Sequence, residues 1–232
     1  MKVAIMQPYF LPYIGYFQLI NAVDKFVIYD DVNFINRGWI NRNNVLINGK
    51  KSYINVPLKE ASQNKLINEI FISTDINWQR KMIRTIELAY KKAPFFLEVF
   101  SAFKKILESK NETISQLNAN LIIAVCQYLC IDTSIQLSSS IYENKNLNGQ
   151  ERILDICLKE GAKQYINPIG GVDLYDSNYF DKAGVKINFI KSNHIAYTQH
   201  SDEFTPWLSI LDVLMFNSKE KVSLFLNNYS LI

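Results

Sequence analysis

Short apolar runs alternate with amphipathic stretches along most of the chain. VAIM (3–6) and KFVIY (25–29) are typical of buried strands, and residues 13–23 between them carry apolar side chains near helical spacing. A strand, a helix and a strand within about 30 residues form a βαβ unit, in which the strands are parallel and the crossover is right-handed. The pattern therefore predicts a parallel sheet with residues 3–6 as its central strand.

The same alternation returns in the second half of the chain. Further strands are predicted at SIQL (134–137), KQYIN (163–167) and VKINFIK (185–191), and further helices at 151–160, 173–183, 207–216 and 219–228. Gly161 follows the first of these helices and is the residue expected at its C-terminal cap.

A hairpin is predicted between the two halves, in NVLINGKKSYINV (44–56). Asn48-Gly49 separates two strand-like runs there, and the dipeptide favours a two-residue turn because both positions need positive φ.

Residues 77–130 are predicted to be helical, with a break near Pro94 and with Asn111 as the cap of a third helix. We therefore expect a single α/β domain over residues 1–232. It comprises a Rossmann-like parallel sheet with a β-hairpin and a helical insertion at 77–130.

The composition of the chain indicates which partners and which compartment to expect. The net charge is only +3 and no basic stripe is evident, which argues against nucleic acid as a partner. No apolar run approaches the roughly 20 residues that span a bilayer, and the N-terminus lacks a signal-peptide pattern. We therefore expect a cytoplasmic protein that binds neither nucleic acid nor membrane, and the sequence leaves homo-oligomerisation open.

Cysteine and histidine are too sparse to indicate a metal site. Cys126 and Cys130 are expected to share one helix face and, with Cys157, to be buried free thiols. His194 and His200 have no cysteine close to them in the sequence, so no metal site is predicted.

Each predicted parallel strand is followed by small or polar residues. These segments are Gln7–Phe10, Asp30–Asp31, Ser138–Ser140, Asn167–Gly171 and Ser192–His194. Parallel sheets bind ligands beyond the carboxyl ends of their strands, so the clustering predicts a small-molecule site at that edge. The alternative is that these loops are polar only because loops usually are.

Two of these loops have a distinctive composition. In DDVNFINRGWINRN (30–43), Arg37 and Arg42 are suited to gripping phosphate or carboxylate, and Trp39 to stacking on a base or a sugar. In NPIGGVDLY (167–175), the paired glycines would let backbone N–H groups approach an anion at a helix N-terminus. A solvated turn and a tight turn, respectively, are the alternatives.

Four stretches of the chain resemble the WbqC-like family. They are QPYFLPYIGYF (7–17), YDDVNFINRGWINRN (29–43), INPIGGVDLY (166–175) and FTPWLSILDVLMFN (204–217), so the resemblance covers nearly the whole chain. Members are typically encoded among bacterial surface-polysaccharide genes, including those for O-antigens. The activity proposed for the family, glycine transfer onto an amino sugar, is what the resemblance implies here.

The first helix is also distantly similar to that of nucleotidylyltransferases and pantothenate synthetase. Theirs begins with His-x-Gly-His or Thr-x-Gly-His, a motif that holds ATP phosphates. Tyr13-Ile14-Gly15-Tyr16 keeps the glycine and replaces both outer residues. The similarity implies a related fold and makes ATP the one candidate cofactor, with its use left open.

The resemblance thus implies an enzyme that forms an amide between glycine, or a related acyl group, and the amino group of a nucleotide-linked amino sugar. Asp30, Asp31 and His194 are the candidate general bases. The predicted substrate-binding residues are Gln7, Tyr9, Tyr13, Gly15, Tyr16, Asn36, Arg37, Trp39, Asn41, Arg42, Asn43, Asn167, Gly170, Gly171, Tyr175 and Ser209. Phe10, Leu11 and Phe17 are assigned to the core. Two alternatives stay open: a nucleotidylyltransferase-like enzyme, and a non-catalytic module that binds a nucleotide sugar.

Overall fold

A computed structural model of the chain describes residues 1–75, 77–200 and 203–232. Its main sheet has six strands in the order β5 (Ser134–Gln136), β2 (Lys25–Ile28), β1 (Lys2–Met6), β6 (Gln164–Pro168), β7 (Lys186–Ser192) and β8 (Tyr229–Leu231). The first five strands of this order are parallel, and β8 pairs antiparallel with β7 at the edge. The α/β class and the parallel sheet with β1 at its centre are confirmed, whereas β8 was not predicted.

The helices are α1 (Ile14–Asn21), α2 (Asn77–Tyr90), α3 (Phe96–Glu108), α4 (Ile114–Tyr128), α5 (Gly149–Lys159), α6 (Ser177–Lys182), α7 (Ile210–Phe216) and α8 (Lys219–Leu226). Short 3₁₀ turns occupy Ile67–Glu69, Ser139–Tyr142 and Ile169–Leu174. Within the described residues, no helix is both long enough and apolar enough to cross a membrane.

Both faces of β1 are buried, as the apolar run in its sequence predicts. Val3 and Ile5 pack with Ile153 of α5 in one apolar cluster, whereas Ala4 faces the other side and packs in the cluster that contains Phe17 of α1. Alternate side chains of a strand point to opposite faces, so a strand covered on both sides is apolar throughout.

The predicted hairpin is confirmed as a separate antiparallel sheet of β3 (Arg42–Ile47) and β4 (Lys50–Asn55). Asn48 and Gly49 adopt φ values of 50° and 72°, which is the left-handed pair that this two-residue turn requires.

The helical segment departs from its prediction at the start of α4. Thr113, and not Asn111, caps this helix, because the Thr113 hydroxyl accepts a hydrogen bond from the Gln116 N–H at 3.2 Å. Asn111 lies further upstream, where its side-chain amide donates to the Ile106 carbonyl at the end of α3. The break around Pro94 separates α2 from α3 as predicted.

Cys130 was predicted to be buried on the same helix face as Cys126, and this was wrong. It follows the end of α4 in a left-handed conformation (φ 54°) and is exposed, whereas Cys126 and Cys157 are buried.

The helices predicted at 173–183 and 207–216 both begin later than expected. The helix expected at 173–183 is divided into a 3₁₀ turn and α6, with Asp176 capping α6 through the Asn178 N–H. Trp207 lies outside α7 because its φ of 61° is incompatible with a right-handed helix, and Ser209 supplies the cap instead.

Candidate functional site

A cavity of about 1150 Å³ lies at the carboxyl edge of the parallel sheet. Its floor includes Gln7 after β1, Tyr29 after β2, Asn167 in β6 and Ser192 at the end of β7. The hairpin contributes Asn43 and Lys51 to one wall. The cavity therefore occupies the sheet edge where the loop pattern predicted a small-molecule site.

Eleven of the predicted site residues line this cavity: Gln7, Tyr9, Tyr13, Gly15, Tyr16, Trp39, Asn43, Asn167, Gly170, Gly171 and Tyr175. Eight lie outside its lining: Asp30, Asp31, Asn36, Arg37, Asn41, Arg42, His194 and Ser209. The part that each residue takes in ligand binding or catalysis stays a prediction.

The opening segment 7–13 is a largely buried loop, and side chains from elsewhere satisfy its backbone. The Asn43 amide donates to the carbonyls of Phe10 and Leu11 at 3.0 and 2.7 Å. The Ser209 hydroxyl donates to the Leu11 carbonyl at 2.9 Å. Buried carbonyls need such partners, so Ser209 holds the loop in place and Asn43 both holds the loop and lines the cavity.

Asn118 of α4 performs the same task and was not predicted. Its side-chain amide is fully buried and donates to the carbonyls of Pro8 and Ile40, both at 2.8 Å. One side chain therefore joins the opening segment to the arginine-containing loop (residues 30–43). From the sequence, Asn118 is a polar residue within an apolar helical stretch, which was the only signal of its role.

Tyr16 belongs to both the core and the cavity wall. It is 3% exposed, and its hydroxyl donates to the Gln7 carbonyl at 2.9 Å. Burial raises the pKa of Tyr16 well above its ordinary value. Tyr16, a predicted substrate-binding residue, thus has its hydroxyl already bonded to the backbone.

Asp31 lies behind the cavity in a buried ion pair with Arg152 of α5. The guanidinium donates to the Asp31 carboxylate at 2.6 Å and to its backbone carbonyl at 3.2 Å. The same guanidinium lies over the ring of Tyr29, with 5.0 Å between its central carbon and the ring centroid. Since Tyr29 lines the cavity, the ion pair supports the wall from behind.

Asp30 is 3% exposed and is surrounded by serines. The hydroxyls of Ser115 and Ser138 each donate to its carboxylate at 2.7 Å, and the Ser139 N–H donates at 3.2 Å. Burial raises the pKa of the Asp30 carboxyl, and these hydrogen bonds oppose the rise. The carboxylate is therefore occupied by protein donors.

The arginine-containing loop is stabilised by contacts with residues close to it in the sequence. The Arg42 guanidinium donates to the backbone carbonyls of Gly38 and Arg37 and lies over the Tyr53 ring. Arg37 is exposed in a left-handed conformation (φ 59°). Arg42 thus shapes the loop that carries Trp39.

Asn36, Asn41 and His194 also lie outside the cavity lining. Asn36 and His194 are exposed. The Asn41 amide donates to the Val56 carbonyl at 2.9 Å, which joins the loop to the end of the hairpin.

The amide of Asn167 is held over Gly171. Its nitrogen donates to the Tyr165 hydroxyl at 2.6 Å, and that hydroxyl lies 3.2 Å from the Tyr175 hydroxyl. A β-carbon on Gly171 would overlap the Asn167 Oδ1 atom, whereas a β-carbon on Gly170 would meet nothing within 4 Å. The two glycines therefore differ: the second one makes room for Asn167.

Lys51 and Lys191 are the only charged residues in the cavity lining within the described part of the chain. Neither forms an ion pair with another described residue. A concave surface whose charges are all positive attracts anionic ligands. The sequence reasoning missed both residues, because each is an ordinary lysine at the end of a strand or in a hairpin.

The described residues include no group of three or more His, Cys, Asp or Glu side chains arranged to hold a metal ion.

The model of the WbqC-like protein family matches residues 7–224 of the chain. The uncharacterized protein Rv1507c of Mycobacterium tuberculosis (strain ATCC 25618 / H37Rv) is 33% identical over 221 residues, which cover 93% of each chain. No solved structure matches the chain significantly.

Proposed function

The chain belongs to the WbqC-like protein family, and on that premise we propose that it joins glycine, or a related acyl group, to the amino group of a nucleotide-linked amino sugar. The observation that carries the proposal is the large cavity at the carboxyl edge of the sheet, with two lysines as its charged lining residues.

The volume of the cavity suits a two-substrate reaction. Small-molecule pockets usually measure roughly 300–1,000 Å³. At about 1150 Å³ this cavity has room for a nucleotide-linked sugar together with a small acyl donor.

The charges of the cavity suit the diphosphate of such a substrate. Lys51 and Lys191 supply ammonium groups that can donate charge-assisted hydrogen bonds to phosphate oxygens. The amide side chains of Gln7, Asn43 and Asn167 would then bind the sugar, because they can both donate and accept hydrogen bonds.

The reaction forms a C–N bond between the acyl carbon and the amine and breaks the bond between the acyl carbon and its activating group, which departs with the bonding electron pair; the proton that the amine loses passes to the departing group or to water. Free glycine needs activation by ATP, whereas a pre-activated glycyl donor does not. Amide N–H groups around the acyl carbon would stabilise the oxyanion as it forms. Burial raises the pKa values of Tyr9 and Tyr13, so their hydroxyls stay protonated near neutral pH and serve as further donors.

The proposal is tested by mixing the protein with glycine, ATP and a panel of UDP- and dTDP-linked amino sugars and searching for products by mass spectrometry. We expect one nucleotide sugar to gain the mass of a glycyl residue. A parallel reaction replaces glycine and ATP with a pre-activated glycyl donor: product only with glycine and ATP indicates adenylation, and product only with the pre-activated donor indicates direct transfer. A panel that includes pre-activated glycyl donors and yet gives no glycylated nucleotide sugar would contradict the proposal.

A non-catalytic nucleotide-sugar module is the second candidate. It is favoured by the cavity lining, which within the described residues contains no carboxylate and no imidazole to act as a general base. The two candidates give the same binding results and differ only in the mass-spectrometric assay.

A further inference from the structure

Two tryptophans are exposed in the same cavity. Trp39 is 42% exposed and Trp207 is 63% exposed, and both line the cavity from loops outside the main sheet. Large aromatic side chains are usually covered by protein, so two of them open to one cavity indicate a surface kept for a ligand.

Trp207 adopts an unfavourable backbone conformation in this position. Its φ of 61° lies in the left-handed region, where bulky residues are rarely found. Its indole packs edge-on against the Tyr13 ring, with 5.6 Å between the ring centroids. Strained conformations persist where the surrounding structure requires them, and they concentrate at ligand sites.

The backbone around Trp39 is held by the opening segment 7–13 and by Arg42 of β3. Its backbone carbonyl accepts a hydrogen bond from the Phe10 N–H at 2.9 Å. Arg42 bonds the carbonyls of the two residues that precede Trp39. The indole is therefore carried by a fixed backbone while the ring itself stays open to the cavity.

We propose that Trp39 and Trp207 form a stacking subsite for the nucleobase of the ligand, an inference that rests on the nucleotide-linked substrate of the proposed function. Every nucleobase has two planar faces, and an aromatic side chain can stack on such a face whichever base is present. The lysines of the same cavity would take the phosphates, and the amide groups at the strand ends would take the sugar.

The chain contains three tryptophans, which allows a direct test by intrinsic fluorescence. The third, Trp78, lies in α2 and is not part of the cavity lining, so Trp78→Phe is the matched control. Wild type, Trp39→Leu, Trp207→Leu and Trp78→Phe are titrated with UDP, dTDP, pyrophosphate and glucosamine. A thermal melt of each variant confirms that it is folded.

We expect UDP or dTDP to quench the fluorescence of wild type and of Trp78→Phe. In Trp39→Leu and Trp207→Leu the quenching should fall and the nucleotide affinity should drop roughly tenfold, as expected for the loss of a base-stacking ring. Pyrophosphate and glucosamine should leave the fluorescence nearly unchanged.

Three results would overturn the subsite: unchanged nucleotide affinity in either leucine variant, quenching by glucosamine as strong as by UDP, or no binding of either nucleotide to wild type. The glycylation assay measures product formation, whereas the fluorescence titration measures nucleotide binding. Loss of nucleotide stacking without loss of product formation refutes the subsite alone, and stacking without any product refutes the transferase alone.

Discussion

The ring of Tyr13 fills the space that a β-carbon on Gly15 would occupy. A β-carbon on Gly15 would come within 2.6 Å of the Tyr13 hydroxyl oxygen and closer still to the ring edge. The sequence interpretation expected a ligand to approach this glycine, as ATP phosphates do in nucleotidylyltransferases. In the structure the tyrosine ring of the same chain occupies that space.

A double-mutant cycle tests this relationship. In wild type, Gly15→Ala should be neutral or destabilising because the new methyl group displaces the Tyr13 ring. In a Tyr13→Ala background the same change should stabilise the protein by about 0.5–1 kcal/mol, since alanine is preferred to glycine in helices. Urea denaturation measures all four proteins, and equal effects in both backgrounds would show that the ring does not restrict position 15.

The paired glycines of the 3₁₀ turn at Ile169–Leu174 should respond differently to alanine. Gly171→Ala should push the Asn167 amide out of place and weaken nucleotide-sugar binding by about 1 kcal/mol, which is the worth of one hydrogen bond. Gly170→Ala is the matched control, because its methyl group meets no atom within 4 Å. Calorimetry with the sugar nucleotide found in the activity screen gives both affinities; equal affinities would remove Asn167 from the site.

The two cavity lysines should contribute to the affinity for an anionic ligand. Lys51→Met and Lys191→Met should each weaken UDP binding by about 1.5–3 kcal/mol if each makes a charged hydrogen bond to phosphate, and should reduce the dependence of affinity on salt. Lys50→Met and Lys186→Met lie on the same strands outside the cavity lining and serve as controls.

The arginines provide the competing prediction for the same measurement. If Arg37 holds the diphosphate, as its loop composition suggests, Arg37→Ala should weaken UDP binding as much as the lysine variants do. The structure leads us to expect less than a twofold change, because the Arg37 side chain does not line the cavity.

The buried pair of Asp31 and Arg152 should be a major contributor to stability. Their side chains are 0% and 6% exposed, so removing one charge leaves the other buried without its partner. We expect Asp31→Asn or Arg152→Met to cost about 3–5 kcal/mol in the free energy of unfolding, and the double variant to recover part of that loss. Chemical denaturation measures the free energy of unfolding of each variant, and strictly additive losses would show that the two groups are not coupled.

The parts of the fold that local patterns dictate could be predicted from the sequence. The apolar run at residues 3–6 specified a strand buried on both faces, and Asn48-Gly49 specified the hairpin turn. The cap of α4 was misassigned because Asn111 and Thr113 are both good capping residues, and only the path of the chain decides between them.

The candidate site was harder to predict because the same residue types serve as ligands and as internal supports. Asp31, Arg42 and Asn43 are polar residues of the segment 30–43, yet their side chains bond to backbone carbonyls or to a buried partner. Lys191 and Trp207 reach the cavity through strand register and an unusual backbone angle, which sequence composition does not encode.

The hairpin of β3 and β4 has a practical consequence for engineering. It forms its own two-stranded sheet, hydrogen-bonded to neither edge of the main one, and yet it supplies Asn43 and Lys51 to the cavity. Its Asn48-Gly49 tip can therefore be lengthened or exchanged without altering the register of the parallel strands. Exchanges confined to this tip should therefore leave the cavity unchanged, because Asn43, which holds the opening segment, lies at the other end of the hairpin.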